Sequence, residues 1–350
     1  MKRTSSLLIA CLIFLLNAVF SSNLMAQFSG KKDKDKEKDN TLKYQMLSNE
    51  PDKAANLLLE LTPFYFDLWD LNMNMGWGGM AQYNFKNRFS LLVDFRKTYL
   101  DRFTTTDGNP SVAHALSDDE QLGYLNYSII GTYFLKTTLK TVNENVHLKS
   151  SSNGNTTTHY YLRIPDCKRL YLYGIRGGFT VLNSTIFSEN GDIEYTAHYL
   201  PTDTVIPDMT LNQWTSTYMR SSSLVLGFSR QVIRDIVINV DGYGKKQCTA
   251  ITELYADLLF ATSIHYSDIL VSYRGYGSQQ EDQYAPFSVD EKTAKSPFGL
   301  RVGWKSSTND KFSWLGMYGA ELGVRPGAPA GMMGNAYLIL KFGLNFATRL

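Results

Sequence analysis

The side chains that could carry out acid–base chemistry are few and scattered. Hydrolysis would need a histidine within hydrogen-bonding distance of a serine or an aspartate. Two histidines, His114 and His198, lie in polar stretches with serine and aspartate nearby, but nothing fixes such a geometry, and histidines on surface loops are common. We therefore predict no catalytic residue and no enzymatic activity. The complete set of histidines is His114, His147, His159, His198 and His265.

Metal and cofactor sites are not indicated by the remaining reactive residues. The spacing of His, Cys and carboxylate residues matches neither a zinc site nor a calcium-binding loop. The stretch GYGKK, from Gly242 to Lys246, is too short for a phosphate-binding loop. The sequence therefore predicts no metal and no cofactor.

Most charged residues instead alternate with apolar ones. From Ala336 to Phe346 every second residue is apolar, and the residues between them include Lys341 and Asn345. Successive side chains of a strand point to opposite faces, so this segment predicts a strand with one apolar and one mixed face. Residues 71–85 alternate over about 50 Å of strand, which exceeds the usual globular strand. The same pattern recurs in residues 89–99, 171–181, 298–305 and 313–325.

Two architectures can explain strands of this kind. A soluble sandwich would have shorter strands and would bury all the apolar faces in one large core. A transmembrane barrel instead turns its apolar face to lipid and its mixed face to the lumen, with aromatic residues at the strand ends. Aromatic residues do lie near the predicted strand ends, at Tyr83, Phe85, Tyr99, Trp304 and Trp314. We therefore predict an all-β fold, a transmembrane antiparallel up-and-down β-barrel.

The connections between strands support a barrel, because short turns alternate with long loops in such proteins. Short connections are predicted at residues 86–88, 165–168, 230–234 and 307–311, and long ones at 101–120, 188–212 and 278–295. With ~10 residues per crossing, the pattern predicts about fourteen strands, within a range of about twelve to sixteen. An even number places both ends of the chain in the periplasm. The predicted strand starts are near residues 62, 71, 89, 122, 141, 157, 169, 214, 235, 250, 269, 297, 312 and 335.

The start of the chain indicates export. Residues 1–26 read as a secretory signal, with a basic start, an apolar run from Leu7 to Phe20 and a cut after Ala26. Lipid attachment at Cys11 and an uncleaved anchor are weaker alternatives, because few apolar residues precede Cys11 and a spanning helix needs ~20. Residues 27–60 form a charged periplasmic leader, which ends in a short helix over residues 54–61 or in an extension of the first strand. Residues 61–350 form the barrel.

Charge and cysteine content limit the partners of the exported chain. Removing Lys2 and Arg3 from the 35 basic residues leaves 33, against 33 acidic residues. This balance gives no argument for nucleic acid as a partner. Cys11 leaves with the signal, so Cys167 and Cys248 remain in a compartment that permits disulfides. We predict that they lie at opposite ends of the barrel, too far apart to form a bridge.

The whole mature chain resembles the Gram-negative outer-membrane β-barrel class. The resemblance rests on the signal, the alternation, the unequal connections and the aromatic residues of the last strand. One departure is that such barrels commonly finish on a phenylalanine, whereas Phe346 is followed by Ala347-Thr348-Arg349-Leu350. The resemblance implies a place in the bacterial outer membrane, with outer-membrane lipid as a partner.

Charged residues of the mixed faces are predicted to line the lumen. Because both signs are present, they either pair across a narrow interior or line a polar conduit. We predict a porin-like channel for small polar solutes. The alternatives are a non-conducting scaffold or accessory barrel bound to an envelope protein partner, and an outer-membrane hydrolase. The predicted lumen residues are Asp94, Arg96, Arg176, Asp241, Arg301, Lys305, Glu321, Arg325 and Lys341, joined by Asp67, Glu253, Asp257, Arg163 and Arg274.

Overall fold

The computed structural model of the protein consists almost entirely of β-strands. It describes residues 42–53, 57–69, 72–85, 87–100, 112–113, 125–153, 156–189, 195–199, 204–205, 214–266, 269–273, 283–289, 296–308, 316–327 and 336–348. Among these residues, no helix is both long enough and apolar enough to cross a membrane. The signal peptide predicted at residues 1–26 and the charged stretch at 30–40 lie outside the described residues.

The described strands are numbered β1 to β16 along the chain. They are β1 Tyr44–Asn49, β2 Leu57–Trp69, β3 Asn72–Phe85, β4 Phe89–Leu100, β5 Val112–Ala113, β6 Leu125–Asn153, β7 Thr156–Glu189, β8 Tyr195–Tyr199, β9 Thr204–Val205, β10 Trp214–Val240, β11 Gly244–Tyr266, β12 Ile269–Tyr273, β13 Gln283–Val289, β14 Phe298–Thr308, β15 Met317–Val324 and β16 Ala336–Thr348. A single 3-10 turn, Pro51–Lys53, lies between β1 and β2.

The long strands close into an antiparallel barrel. Eleven strands follow one another along the sheet path, and the pairing of β10 with β7 joins ten of them into a ring. The ring order is β2, β3, β4, β6, β7, β10, β11, β14, β15 and β16, and β16 pairs back with β2. The closing register runs from Trp214 opposite Glu189 to Tyr218 opposite Thr185. The predicted all-β, up-and-down barrel is therefore confirmed.

The ring contains fewer strands than the sequence predicts. The predicted strand starts at residues 141, 169 and 235 fall inside β6, β7 and β10, and the start at 269 becomes β12, which lies in a separate four-stranded sheet. The predicted turns 165–168 and 230–234 are also inside strands. Irregular pairings between β6 and β7 at Phe134/Lys136, Val142/Glu144 and His147/Lys149 explain part of this difference. Each bulge inserts a residue and interrupts the alternation without ending the strand.

The two ends of the barrel carry different connections. The turns at residues 87–88 and 241–243 lie at one end, together with the start of β2 and the end of β16. We call this the turn end. The opposite loop end receives the long segments between β4 and β6, between β7 and β10, and between β11 and β14. The strands β8, β9, β12 and β13 belong to two of these segments and pair in the small sheet.

Four ring strands run past the ring at the turn end. β6 pairs with β4 only as far as Tyr133 and continues as a hairpin with β7, while β10 and β11 continue to their turn and β1 pairs with β10. We call this extension the lobe; it comprises residues 44–49, the described part of 136–168, and 235–250. Its buried core is apolar and contains Val146, Leu148, Ile164, Cys167, Ile236, Ile238 and Val240.

The segment before the first ring strand is also defined. The sequence left residues 54–61 as a short helix or an extension of the first strand, and Leu57 to Leu61 belong to β2. Within the described residues, β2 thus starts at Leu57, four residues before the start predicted for the barrel.

Both cysteines lie at the turn end, which corrects the prediction that they occupy opposite ends. Cys167 is buried in the lobe core, and Cys248 packs against the same core from β11. The prediction was wrong because residues 165–168 continue β7 instead of turning and residues 241–243 turn at the same end of the barrel. Burial raises the pKa of the Cys167 thiol to about 11, so this thiol remains protonated at neutral pH.

Candidate functional site

The outer surface of the barrel is a continuous apolar band. On β10 and β11 the outward side chains Leu224, Leu226, Phe228 and Leu258 are 49–69% exposed. Neighbouring strands present Val93, Ile129, Ile175, Leu300, Val302 and Leu344 in the same way. Soluble monomers rarely expose apolar patches beyond a few hundred Å². A band that runs around a barrel is typical of a surface in contact with lipid.

Aromatic side chains border this band at both ends. At the turn end Phe85 contacts both Tyr83 and Phe89, with ring centroids 4.3 and 5.7 Å apart. Trp304 and Tyr318 continue that border at 5.2 Å. At the loop end the corresponding pairs are Trp77 with Phe95 and Phe260 with Phe298. Two such girdles are the usual arrangement of aromatic residues at the two interfaces of a membrane.

The inner face of the barrel carries many polar side chains, and these are buried. Gln82, Asn84, Ser90, Ser128 and Thr132 face inward and are only 2–5% exposed. Alternation along each strand explains why they share one face. Their burial shows that solvent reaches little of this part of the inner face.

Ion pairs of alternating sign connect one side of this interior. Arg176 pairs with Glu253 and lies 3.0 Å from a carboxylate oxygen of Asp257. The Nε of Arg301 donates a hydrogen bond to the other Asp257 oxygen at 2.9 Å. Lys305 extends the chain of charges, because its Nζ lies 3.2 Å from Glu253. Each carboxylate here is shared between two cations, which reduces the cost of burying it.

Glu321 forms the centre of a second group. Tyr255 donates a hydrogen bond to one of its carboxylate oxygens at 2.5 Å, and Tyr337 donates to the other at 2.8 Å. Arg301 lies 4.0 Å from Glu321 and joins this group to the first one. Both oxygens of the buried carboxylate therefore have hydrogen-bond donors, as a buried charge requires.

Other contacts cross the lumen between distant strands. Lys305 on β14 donates to the side-chain oxygen of Gln82 on β3 at 2.6 Å. Lys341 on β16 lies 3.2 Å from Asp94 on β4, and the Nε of Arg96 forms an ion pair with the same carboxylate at 3.3 Å. These contacts hold opposite walls of the barrel together.

A further pair lies at the loop end, where Arg325, directly after β15, donates to Asp67 on β2 at 2.6 Å.

Among the described residues of the ring interior, the ion pairs join six cations to five carboxylates, and a further buried carboxylate, Glu60, accepts a hydrogen bond from Ser307. The cations are Arg96, Arg176, Arg301, Lys305, Arg325 and Lys341, and the carboxylates in ion pairs are Asp67, Asp94, Glu253, Asp257 and Glu321.

Most of the residues predicted to line the lumen meet in this network. Asp241 does not join it, because it lies exposed in the turn between β10 and β11. Arg163 is exposed in the lobe, and Arg274 lies outside the described residues. Glu60 is the acid that sequence reasoning missed, although it alternates with Leu59 and Leu61 and could have been found by extending the first strand.

A small cavity lies between the charged groups. It offers about 50 Å³ to the centres of water-sized molecules, enough for a few waters. Towards the turn end the inward side chains become apolar and pack into one buried cluster. We call it the turn-end cluster; it contains Phe134, Leu170, Leu172, Ile233 and Ile251. Within the described ranges, no group of three or more His, Cys, Asp or Glu side chains is placed to hold a metal ion.

No protein-family model and no curated protein matches the sequence. Similar solved structures include OmpT, an outer membrane protein of Vibrio cholerae, at 10% identity and a TM-score of 0.18, covering 86% of this chain and 100% of that one. An anion-selective porin from Comamonas acidovorans has 6% identity and a TM-score of 0.14, covering 87% and 100%. The barrel fold is established by the strand pairing itself.

Proposed function

We propose that the protein is an outer-membrane barrel that does not conduct solutes and instead anchors the lobe at the periplasmic face, as a scaffold or accessory barrel for an envelope protein. The exposed apolar band and its two aromatic girdles support a place in a membrane. The predicted signal peptide supports export. Outer-membrane barrels have their short turns on the periplasmic side, so the turn end and its lobe are assigned to the periplasm.

The burial of the inner face is the observation that carries the non-conducting assignment. A conduit needs inner side chains that water can reach, whereas Arg176, Glu253, Asp257 and Arg301 are each at most 5% exposed. Their charges are satisfied by one another rather than offered to a solute. The apolar turn-end cluster adds a second barrier, because a hydrated solute would lose its water there.

The porin-like channel that the sequence favours is the competing candidate. It would require the ion pairs across the lumen and the turn-end cluster to separate together. The hydrolase alternative has less support. His147 and Ser150 do lie 2.9 Å apart, but both belong to the exposed side of the β6–β7 hairpin and not to the cavity of the barrel.

Planar-bilayer recording of the purified, folded protein tests this proposal. We expect no discrete conductance steps from the wild-type protein. A variant with Phe134→Ala, Leu172→Ala and Ile233→Ala, which opens the turn-end cluster, should show discrete steps. The control variant Leu148→Ala removes a buried side chain from the lobe core instead and should remain silent. Regular steps from the wild-type protein would support the porin-like channel. The wild-type recording alone therefore distinguishes the two candidates, even if the opened variant does not fold.

A further inference from the structure

Two exposed cations approach the same tyrosine on the outer surface of the barrel. The Nζ of Lys140 lies 5.4 Å from the centre of the Tyr171 ring, and the guanidinium carbon of Arg230 lies 5.3 Å from it. Arg230 is also 6.0 Å from the centre of the Tyr173 ring. The charged groups of both side chains are therefore held beside aromatic rings by cation–π contacts, and both side chains are exposed.

These charges are not neutralised within the described part of the chain. The nearby buried carboxylate, Glu144, accepts Arg169 and lies 3.4 Å from Arg234. No described carboxylate lies within 4.0 Å of Lys140 or Arg230. Two fixed positive charges without an anion favour an anionic partner.

The position of this pair identifies the environment of that partner. Arg230 follows Phe228 by two residues on the outward face of β10, and Phe228 is 69% exposed at the turn-end border of the apolar band. Tyr173, 37% exposed, faces outward on β7 beside it. A ligand bound here would place its charge beside Arg230 and Lys140 and its apolar part along Phe228 and Leu226. A membrane lipid has this combination of a charged headgroup and an apolar chain.

We propose that Lys140, Tyr171 and Arg230 form a binding site for the headgroup phosphate of an anionic phospholipid in the periplasmic leaflet. This inference rests on the proposed membrane location. A guanidinium and an ammonium group donate hydrogen bonds to phosphate oxygens. An anionic lipid is favoured over a zwitterionic one because no lipid ammonium group then opposes the two cations. The site would fix the depth and the rotation of the barrel beside the lobe.

Native mass spectrometry of the detergent-purified protein with added phosphatidylglycerol or phosphatidylcholine tests the site. We expect the wild-type protein to retain phosphatidylglycerol in preference to phosphatidylcholine. The double variant Lys140→Ala, Arg230→Ala should bind phosphatidylglycerol about tenfold more weakly. The control double variant Lys149→Ala, Lys245→Ala removes the same charge from exposed positions of the lobe and should bind like the wild-type protein.

Three outcomes would overturn the inference. They are equal retention of the two lipids, unchanged binding by the Lys140/Arg230 variant, and complete displacement of the lipid by free glycerol phosphate, which would show a site for soluble phosphate. A gel comparison of boiled and unboiled protein accompanies each measurement. If that comparison shows a folded barrel while lipid selectivity is absent, only this inference fails. If no folded barrel is seen, the proposed function fails as well.

Discussion

At the scale of single residues, the sharpest prediction concerns the loss of stability when Glu321 is removed from its partners. Its buried carboxylate accepts hydrogen bonds from the hydroxyls of Tyr255 and Tyr337 and lies near Arg301. Glu321→Ala would leave Arg301 with less compensation in a buried site, so we expect the free energy of unfolding to fall by about 3–5 kcal/mol. The measurement is the urea midpoint of unfolding in lipid vesicles, followed by the shift of the folded band on a gel.

The matched control is Asp241→Ala. It removes the same kind of charge from an exposed turn, and we expect a change within about 0.5 kcal/mol. Equal effects of the two variants would show that the interior charges do not form the network described.

Sequence reasoning placed these residues well but could not identify their partners. Alternation along a strand predicted that Asp94, Arg301 and Glu321 share a face, because side-chain direction is a local property of the backbone. It failed for Asp241 because the pattern continues into the turn and does not mark where β10 ends. The ion pair between Arg176 and Glu253 joins residues of β7 and β11. Such a contact depends on how the strands are ordered around the ring, and the alternation within one strand carries no information about that order.

At the scale of strands, the facing of β10 can be tested with two equally exposed leucines. Leu226 in the middle of the apolar band is 53% exposed, and Leu139 beyond the ring on β6 is 52% exposed. Leu226→Arg should cost about 2–4 kcal/mol if the band faces lipid, whereas Leu139→Arg should cost little in water. The measurement is the amount of folded protein in membrane fractions. Comparable yields of the two variants would argue that the band faces water.

The sequence predicted the alternation of apolar and polar residues along the strands better than it predicted the strand lengths. β6 and β7 each extend through two predicted strands, because bulges and the lobe core hold residues 136–168 in the sheet. A search for membrane crossings divides such strands at a length of ~10 residues. The lobe itself had no signal in the sequence, since its core combines residues of β6, β7 and β10 that are far apart in the chain.

At the scale of the whole molecule, the barrel and the lobe share four continuous strands, so closing the ring also orders the lobe. The ring closes where β7 meets β10, and both strands continue beyond it into the lobe. A scaffold whose lobe is built from barrel strands has a fixed orientation relative to the membrane. A lobe joined by a flexible linker would have no fixed orientation. A fixed orientation suits an anchoring role better than a transport role.

Disulfide trapping across the closing pair is the most direct test of the closed barrel. Thr185 and Tyr218 are opposite residues of β7 and β10, and opposite residues in antiparallel strands have Cα atoms about 4.5–5.5 Å apart, within disulfide range. In a background with Cys167→Ala and Cys248→Ser, we expect Thr185→Cys with Tyr218→Cys to cross-link in vesicles under mild oxidation. The pair Thr185→Cys with Ser222→Cys, four residues out of register, should not. A non-reducing gel shows the cross-link as faster migration of the boiled protein. Failure of the first pair to cross-link, or equal cross-linking of both pairs, would contradict the closed barrel.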